Sequence, residues 1–202
     1  MLDALSGLVA GSLHVVSGPD HMAALAPLAV SDRSKALRIG AMWGVGHGLG
    51  VVLLGGLGQL FRDAIDISLI SATSERIVGV LLIGMGLWAL WHARRPFDPE
   101  AEHGHDHSSM GTASMIGLLH GAAGGGHLFG VLPSLALPPA QAALYLLCYL
   151  FSAVLTMGTF GLLLGKMAKQ GGATLVRTMM VGCGVVAIGV GIWWSVAASG
   201  HA

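Results

Sequence analysis

Apolar residues run along this chain in six blocks, at about 2–30, 39–61, 76–93, 113–137, 140–165 and 175–198, with short polar stretches between them. A helix of about 20 residues crosses a hydrocarbon core of roughly 30 Å, so each block predicts one membrane-spanning helix. Two blocks carry interruptions. Block one contains Ser17-Gly18-Pro19-Asp20; proline removes a backbone donor and interrupts a helix, and Ser17 with Asp20 three residues on reads as a cap that restarts it. The same four residues also permit a re-entrant hairpin in place of a broken spanning helix. Block four contains Gly124-Gly125-Gly126.

The chain of 202 residues is 54% hydrophobic and 10% charged, with a mean hydropathy of +0.75, far from soluble globular averages. The expected class is an all-α integral membrane protein without a sizeable soluble domain. The first block opens with Asp3 and no basic segment, so it is expected to be retained and not removed as a signal peptide. Cys148 and Cys183 both fall in apolar blocks and read as small packing residues. Basic residues are lopsided: Arg33, Lys35, Arg38, Arg94, Arg95, Lys166, Lys169 and Arg177 fall on one side of a six-span arrangement, against Arg62 and Arg76 on the other. Basic loops stay cytoplasmic. The expectation is a multi-pass protein of the inner (cytoplasmic) membrane, with both termini outside and the loop at 94–112 inside.

The two halves of the chain repeat. Gly11-Ser12-Leu13-His14, then Asp20-His21, is echoed 106 positions later by Gly117-Leu118-Leu119-His120, then His127, and Pro27 by Pro133. Gly79, Gly84, Gly86 and Trp88 recur as Gly184, Gly189, Gly191 and Trp193 at a shift of 105. Three spans per half force the halves into opposite orientations, the plan of 3+3 inverted-repeat transporters, whose sites lie near the midplane at discontinuous helices. The expected organisation is a first three-helix repeat at 1–93, a His-rich cytoplasmic loop at 94–112 and a second repeat at 113–202, with the first helix of each half broken.

The chemistry concentrates at those breaks. A central Asp costs roughly 2.5–3.5 kcal/mol on insertion scales, so ionisable groups in spans face a pathway or a partner. His14, Asp20 and His21 cluster beside the first break, and His120 and His127 flank the second. His47 sits in Gly44-Val-Gly-His-Gly-Leu-Gly50, where Gly40, Gly44 and Gly48 let a neighbouring backbone approach. These six residues are the expected metal ligands; imidazole suits Ni, Co, Zn, Cu and Fe, and the scarcity of thiol argues against a soft Cu(I) centre. A lone intramembrane histidine such as His47 or His120 is more often a packing residue than a ligand, and clustering is what shifts the balance. The tract Glu102-His103-Gly104-His105-Asp106-His107 is an auxiliary chelating segment or a solvated linker. The glycine rows read as helix packing, and Trp88, Trp91, Trp193 and Trp194 as interface anchors.

These residues resemble the nickel/cobalt transporters and their shorter relatives encoded with urease accessory proteins. His14-Val-Val-Ser-Gly-Pro-Asp20-His21 is similar to the family's first signature, Gly46-His47 to its second, and His120-Gly121-Ala122-Ala123-Gly124 to the repeat-two motif of the urease-accessory type. The spacer here is five residues where the larger permeases have four, and Gly126-His127 stands in place of their second-half acidic motif. The resemblance implies transport of Ni²⁺ or Co²⁺ with no resident cofactor. It also implies metallochaperones or urease and hydrogenase maturation proteins, or a second copy of the chain, as partners.

The reading is therefore a divalent transition-metal transporter in a lipid bilayer, not an enzyme and not a nucleic-acid binder. No Gly-x-x-x-x-Gly-Lys-[Ser/Thr] is present, so energy must come from a gradient or a separate subunit. A membrane metalloprotease would want His-Glu-x-x-His, which is absent. The alternatives are a metal-binding or haem-binding accessory or electron-transfer protein that does not transport.

Overall fold

The computed structural model describes residues 2–61, 67–94, 108–123 and 130–197, all of whose regular structure is helical. Its elements are α1 (Leu2–Ser17), α2 (Pro19–Ser31), α3 (Ala36–Leu60), α4 (Ile67–Ala93), α5 (Ser108–Ala123), α6 (Leu132–Leu135) and α7 (Pro139–Ala197). Three stretches among them are long and apolar enough to cross a membrane: Ala36–Leu60, Arg76–Ala93 and Pro139–Val196. The chain is an all-α membrane protein.

The last of these stretches is not one straight rod. Gly172 adopts φ 65° and ψ −170°, a region essentially reserved for glycine. The chain doubles back there: Met157, before Gly172, shares a core cluster with Val190 and Trp194 beyond it. Ala168 likewise packs with Val176 and Met180.

Block one is broken as anticipated, and the contacts decide between the two forms it allowed. Gly7 lies against Tyr145 and Cys148 of α7, Gly11 against Tyr149 and Ser152, Val15 and Ala24 cluster with Ala153 and Met157, and Arg33 donates to the Ala168 carbonyl at 3.3 Å. The chain thus advances along α7 in one direction on both sides of Gly18. It is a broken continuous segment, not a hairpin. Ser17 does not cap α2: its hydroxyl donates to the His14 carbonyl, Gly18 occupies the cap position without a side-chain bond, and Asp20 is turned instead toward two histidines.

In lipid, helices associate through close packing and not through a hydrophobic drive, so interfaces favour small residues. Gly40, Gly44 and Gly48 seat α3 antiparallel on α7, opposite Met157, Val154 and Leu150 in turn. Gly46 and Gly50, on another face of α3, receive Ser114, Leu118 and Ala122 of α5, which runs parallel to α3. Gly79 and Gly86 of α4 meet Gly191 and Gly184 of the returning arm of α7. The neighbour that the row of Gly40, Gly44 and Gly48 admits is thus α7.

One end of the bundle gathers Val30, Ala93, Ala168, Val176 and Met180, which places the turn carrying Arg33, Lys35 and Arg38 beside Arg94, Lys166, Lys169 and Arg177. At the other end Gln59 donates its amide to the carbonyls of Ser134 and Leu137, tying α3 to the turn before α7. Trp91 and Trp193 face outward, as anchors would, while Trp88 and Trp194 pack partly into core clusters. Cys148 and Cys183 are free and half-buried.

Candidate metal centre

Where α1, α2, α3 and α5 meet against α7, the sequence has placed five ionisable side chains together. His14, Asp20, His21, His47 and His120 are each 4% exposed or less. Asp20 is the one buried carboxylate among the described residues. His14 is carried by the last turn of α1, Asp20 and His21 by the first turn of α2, His47 by the middle of α3 and His120 by the last turn of α5.

The break at Gly18 is what aims the middle pair. A side chain on residue 18 would collide with the His21 ring and with Asp20 Oδ1, so glycine lets both fold back over the unwound turn. Asp20 then accepts from His120 Nε2 at 2.9 Å and has its other oxygen 3.2 Å from His21 Nδ1. That second approach has the distance but not the direction of a hydrogen bond, since neither ring nitrogen of His21 has a hydrogen-bond partner among the described residues. Both nitrogens of His47 are likewise buried without a hydrogen-bond partner among the described residues. Buried polar atoms are ordinarily bonded, and each exception calls for an explanation. Clustered imidazole nitrogens of this kind are the donors a transition-metal ion takes.

Two overlapping donor sets result. One nitrogen each from His14, His21 and His47 lie within 4.8 Å of one another, and so do ligand atoms of Asp20, His21 and His120. The rings are correspondingly close: His14 to His21 is 4.5 Å between centroids, His21 to His47 5.0 Å and His21 to His120 4.9 Å. Of the six ligands expected from sequence, five converge. His127 and the loop residues His103, His105, Asp106 and His107 lie outside the described residues.

Two residues that the sequence reading passed over belong to the same centre. Trp43, fully buried, stacks on His47 at 5.1 Å and 13° and stands 5.5 and 5.3 Å from His21 and His120. Tyr149 is fully buried, its hydroxyl without a hydrogen bond among the described residues, and its ring lies 6.0 Å from that of His14. The signal was present: Trp43 is one helical turn before His47, and position 149 is its counterpart at a shift of 106.

No family model matches the chain, and no solved structure matches it. Among curated proteins it is similar to the chloroplast proteins FOR GROWTH AND FERTILITY 2 and FOR GROWTH AND FERTILITY 1 of Arabidopsis thaliana, 32% identical to each over 95% of this chain. It is also similar to the urease accessory protein UreH of Bacillus sp. (strain TB-90), 25% identical over 79% of this chain and 74% of that protein. The chain spans 55% and 58% of the length of the two chloroplast relatives.

Proposed function

We propose that this chain transports a divalent transition-metal ion, Ni²⁺ or Co²⁺ before others, across a membrane and without a catalytic step. The observation that carries the reading is the buried convergence of four imidazoles and one carboxylate, with the nitrogens of His21 and His47 unbonded among the described residues. Such groups are costly inside a membrane unless they serve a partner. Nitrogen and oxygen donors without a thiol fit a borderline cation. His14, Asp20, His21, His47 and His120 hold the ion, with His127 as a sixth donor and His103, His105, Asp106 and His107 as a loading tract. Asp20 stands in the first turn of α2, where it offsets both the cation's charge and the positive helix end that would otherwise repel it.

The architecture we propose is a six-span, 3+3 inverted repeat of residues 1–93 and 113–202. In its support, contacts exchange between halves at the shifts seen in the sequence. Gly79 opposite Gly191 becomes Gly184 opposite Gly86, and Gly48 opposite Leu150 becomes Val154 opposite Gly44. Gly11 against Tyr149 becomes Gly117 against Trp43. A pseudo-two-fold axis with the site near it suits alternating access. The likeness to a urease accessory protein fits a nickel cargo; the names of the chloroplast relatives refer to no metal. Metallochaperones, maturation proteins or a second copy of the chain are the proposed partners, and the inner membrane its location.

The test is ⁶³Ni²⁺ accumulation in cells expressing the wild type, His21→Ala or an empty vector, with Co²⁺, Zn²⁺ or Mn²⁺ as competitors. A His21-dependent rise means import and a His21-dependent fall means export. Equal accumulation in all three strains, with the protein shown in the membrane, overturns the nickel reading.

A further inference from the structure

The geometry points to two alternative ion positions in this centre, occupied one at a time, with His21 as the ligand common to both and the Asp20–His120 hydrogen bond as the latch of the second. The inference rests on the transport reading above and concerns how the same site hands its ion on.

The donors divide into two groups instead of forming one. His14, His21 and His47 satisfy mutual proximity, and Asp20, His21 and His120 satisfy it separately, but the five do not form a single set. One ion at ordinary bond lengths of about 2.0–2.2 Å for nitrogen and oxygen donors reaches three of these groups from either position, not all five. Only His21 belongs to both, and both of its ring nitrogens are without a hydrogen bond among the described residues. Its Nδ1 is on the Asp20 side at 3.2 Å, which leaves Nε2, across the ring, for the other set. An ion that moves between the sets therefore exchanges its bond to one ring nitrogen of His21 for a bond to the other, with the imidazole proton passing the opposite way, and exchanges its other two ligands as well.

The two positions differ in charge and in readiness. The three-histidine set contains no carboxylate, and His47 in it has no hydrogen bond to break among the described residues. The second set carries the carboxylate, but His120 Nε2 is engaged with Asp20 at 2.9 Å. An ion entering there must displace His120 from that bond, which ties the move to a shift of α5 relative to α2. Two divalent charges sharing one imidazole in a low-dielectric interior repel strongly, so only one position fills at a time. Trp43, in ring contact with His21, His47 and His120, walls both positions and excludes water from the step.

The experiment is a Co²⁺ titration of the purified full-length protein in lipid nanodiscs, read by visible d–d absorption, with circular dichroism as the check on folding. The wild type binds one Co²⁺. His47→Gln and His120→Gln each still bind one Co²⁺, within about tenfold of wild-type affinity, with band positions that differ from each other, because each variant leaves a different set intact. His21→Gln and the double variant both lose at least a hundredfold. Two Co²⁺ per wild-type chain, identical spectra for the two single variants, or a His21→Gln no weaker than His47→Gln would each overturn the two-position arrangement while metal binding stands. Identical spectra decide the matter even where His21→Gln fails to fold. A wild type that takes up no Co²⁺ overturns this inference and the transport reading together.

Discussion

His120 Nε2 donates to Asp20 Oδ2 across 2.9 Å, joining groups 100 positions apart in the chain. Asparagine at position 20 keeps an oxygen acceptor for His120 and almost the same volume, while removing the one buried carboxylate among the described residues. Asp20→Asn is therefore expected to fold, with thermal stability in detergent close to wild type, and to lose transport. Metal affinity is expected to fall less than flux, because the set of His14, His21 and His47 does not include Asp20. Isothermal titration with Ni²⁺ beside an uptake assay checks it. Wild-type affinity and flux in Asp20→Asn would mean that the carboxylate does not offset the ion.

Trp43 gives the centre an optical reporter. Its indole stacks on His47 at 5.1 Å between centroids, so Co²⁺ or Ni²⁺ bound there quenches its emission, whereas the tryptophans of α4 and α7 lie outside the cluster. Metal addition is expected to remove part of the intrinsic fluorescence of the wild type and to leave that of Trp43→Phe unchanged. Trp43→Ala, which empties a fully buried site, is expected to cost about 3–5 kcal/mol, read as a fall in melting temperature.

Gly121 holds α5 against α3. A methyl group there would meet the His47 carbonyl, a backbone atom that cannot swing aside. Gly121→Ala should push the helices apart, draw His120 away from Asp20 and cost about 1–3 kcal/mol. Gly84→Ala is the matched control: nothing lies within 4 Å of its added carbon, so it is neutral or gains up to about 1 kcal/mol of helix propensity. Thermal unfolding of the two variants in one detergent separates them, and equal melting temperatures would refute the close α3–α5 contact as the cause.

Those contacts also mark what was legible in advance. The break at Gly18-Pro19 and the clustering of His14, Asp20, His21, His47 and His120 followed from two local facts: proline interrupts helices, and polar groups in lipid seek one another. The partner of each helix did not follow. Gly40, Gly44 and Gly48 announced a close neighbour without saying which, because any small-residue face accepts any backbone; α7 occupies it. Ser17 looked like a cap on spacing alone, but its hydroxyl found the His14 carbonyl one turn back, a common competitor for serine. Trp43 and Tyr149 were passed over because aromatic residues in apolar blocks read as bulk until a ring is seen against them. The direction of block one on either side of Gly18 was likewise a tertiary matter, decided by the face of α7 along which both α1 and α2 lie.

Orientation in the membrane can be tested on the turns at the two ends of the bundle. Arg33 donates to the Ala168 carbonyl, which fixes the α2–α3 turn beside the reversal at Gly172, and the end of α4 joins them through Ala93. The basic residues Arg33, Lys35, Arg38, Arg94, Lys166, Lys169 and Arg177 therefore share one end, and basic loops remain on the cytoplasmic side. Pro138, exposed in the turn before α7, marks the opposite end, where Gln59 ties that turn to α3. In a background with Cys148→Ala and Cys183→Ala, single cysteines at Ser34 and Gln170, both exposed, should resist an impermeant maleimide in intact cells and react after permeabilisation, while one at Pro138 should react in intact cells. Reaction of Ser34→Cys and Gln170→Cys on opposite sides would contradict the shared end itself. Reaction of both from outside would keep the bundle and invert it, placing the Asp20-bearing N-terminus of α2 on the reverse path of the ion.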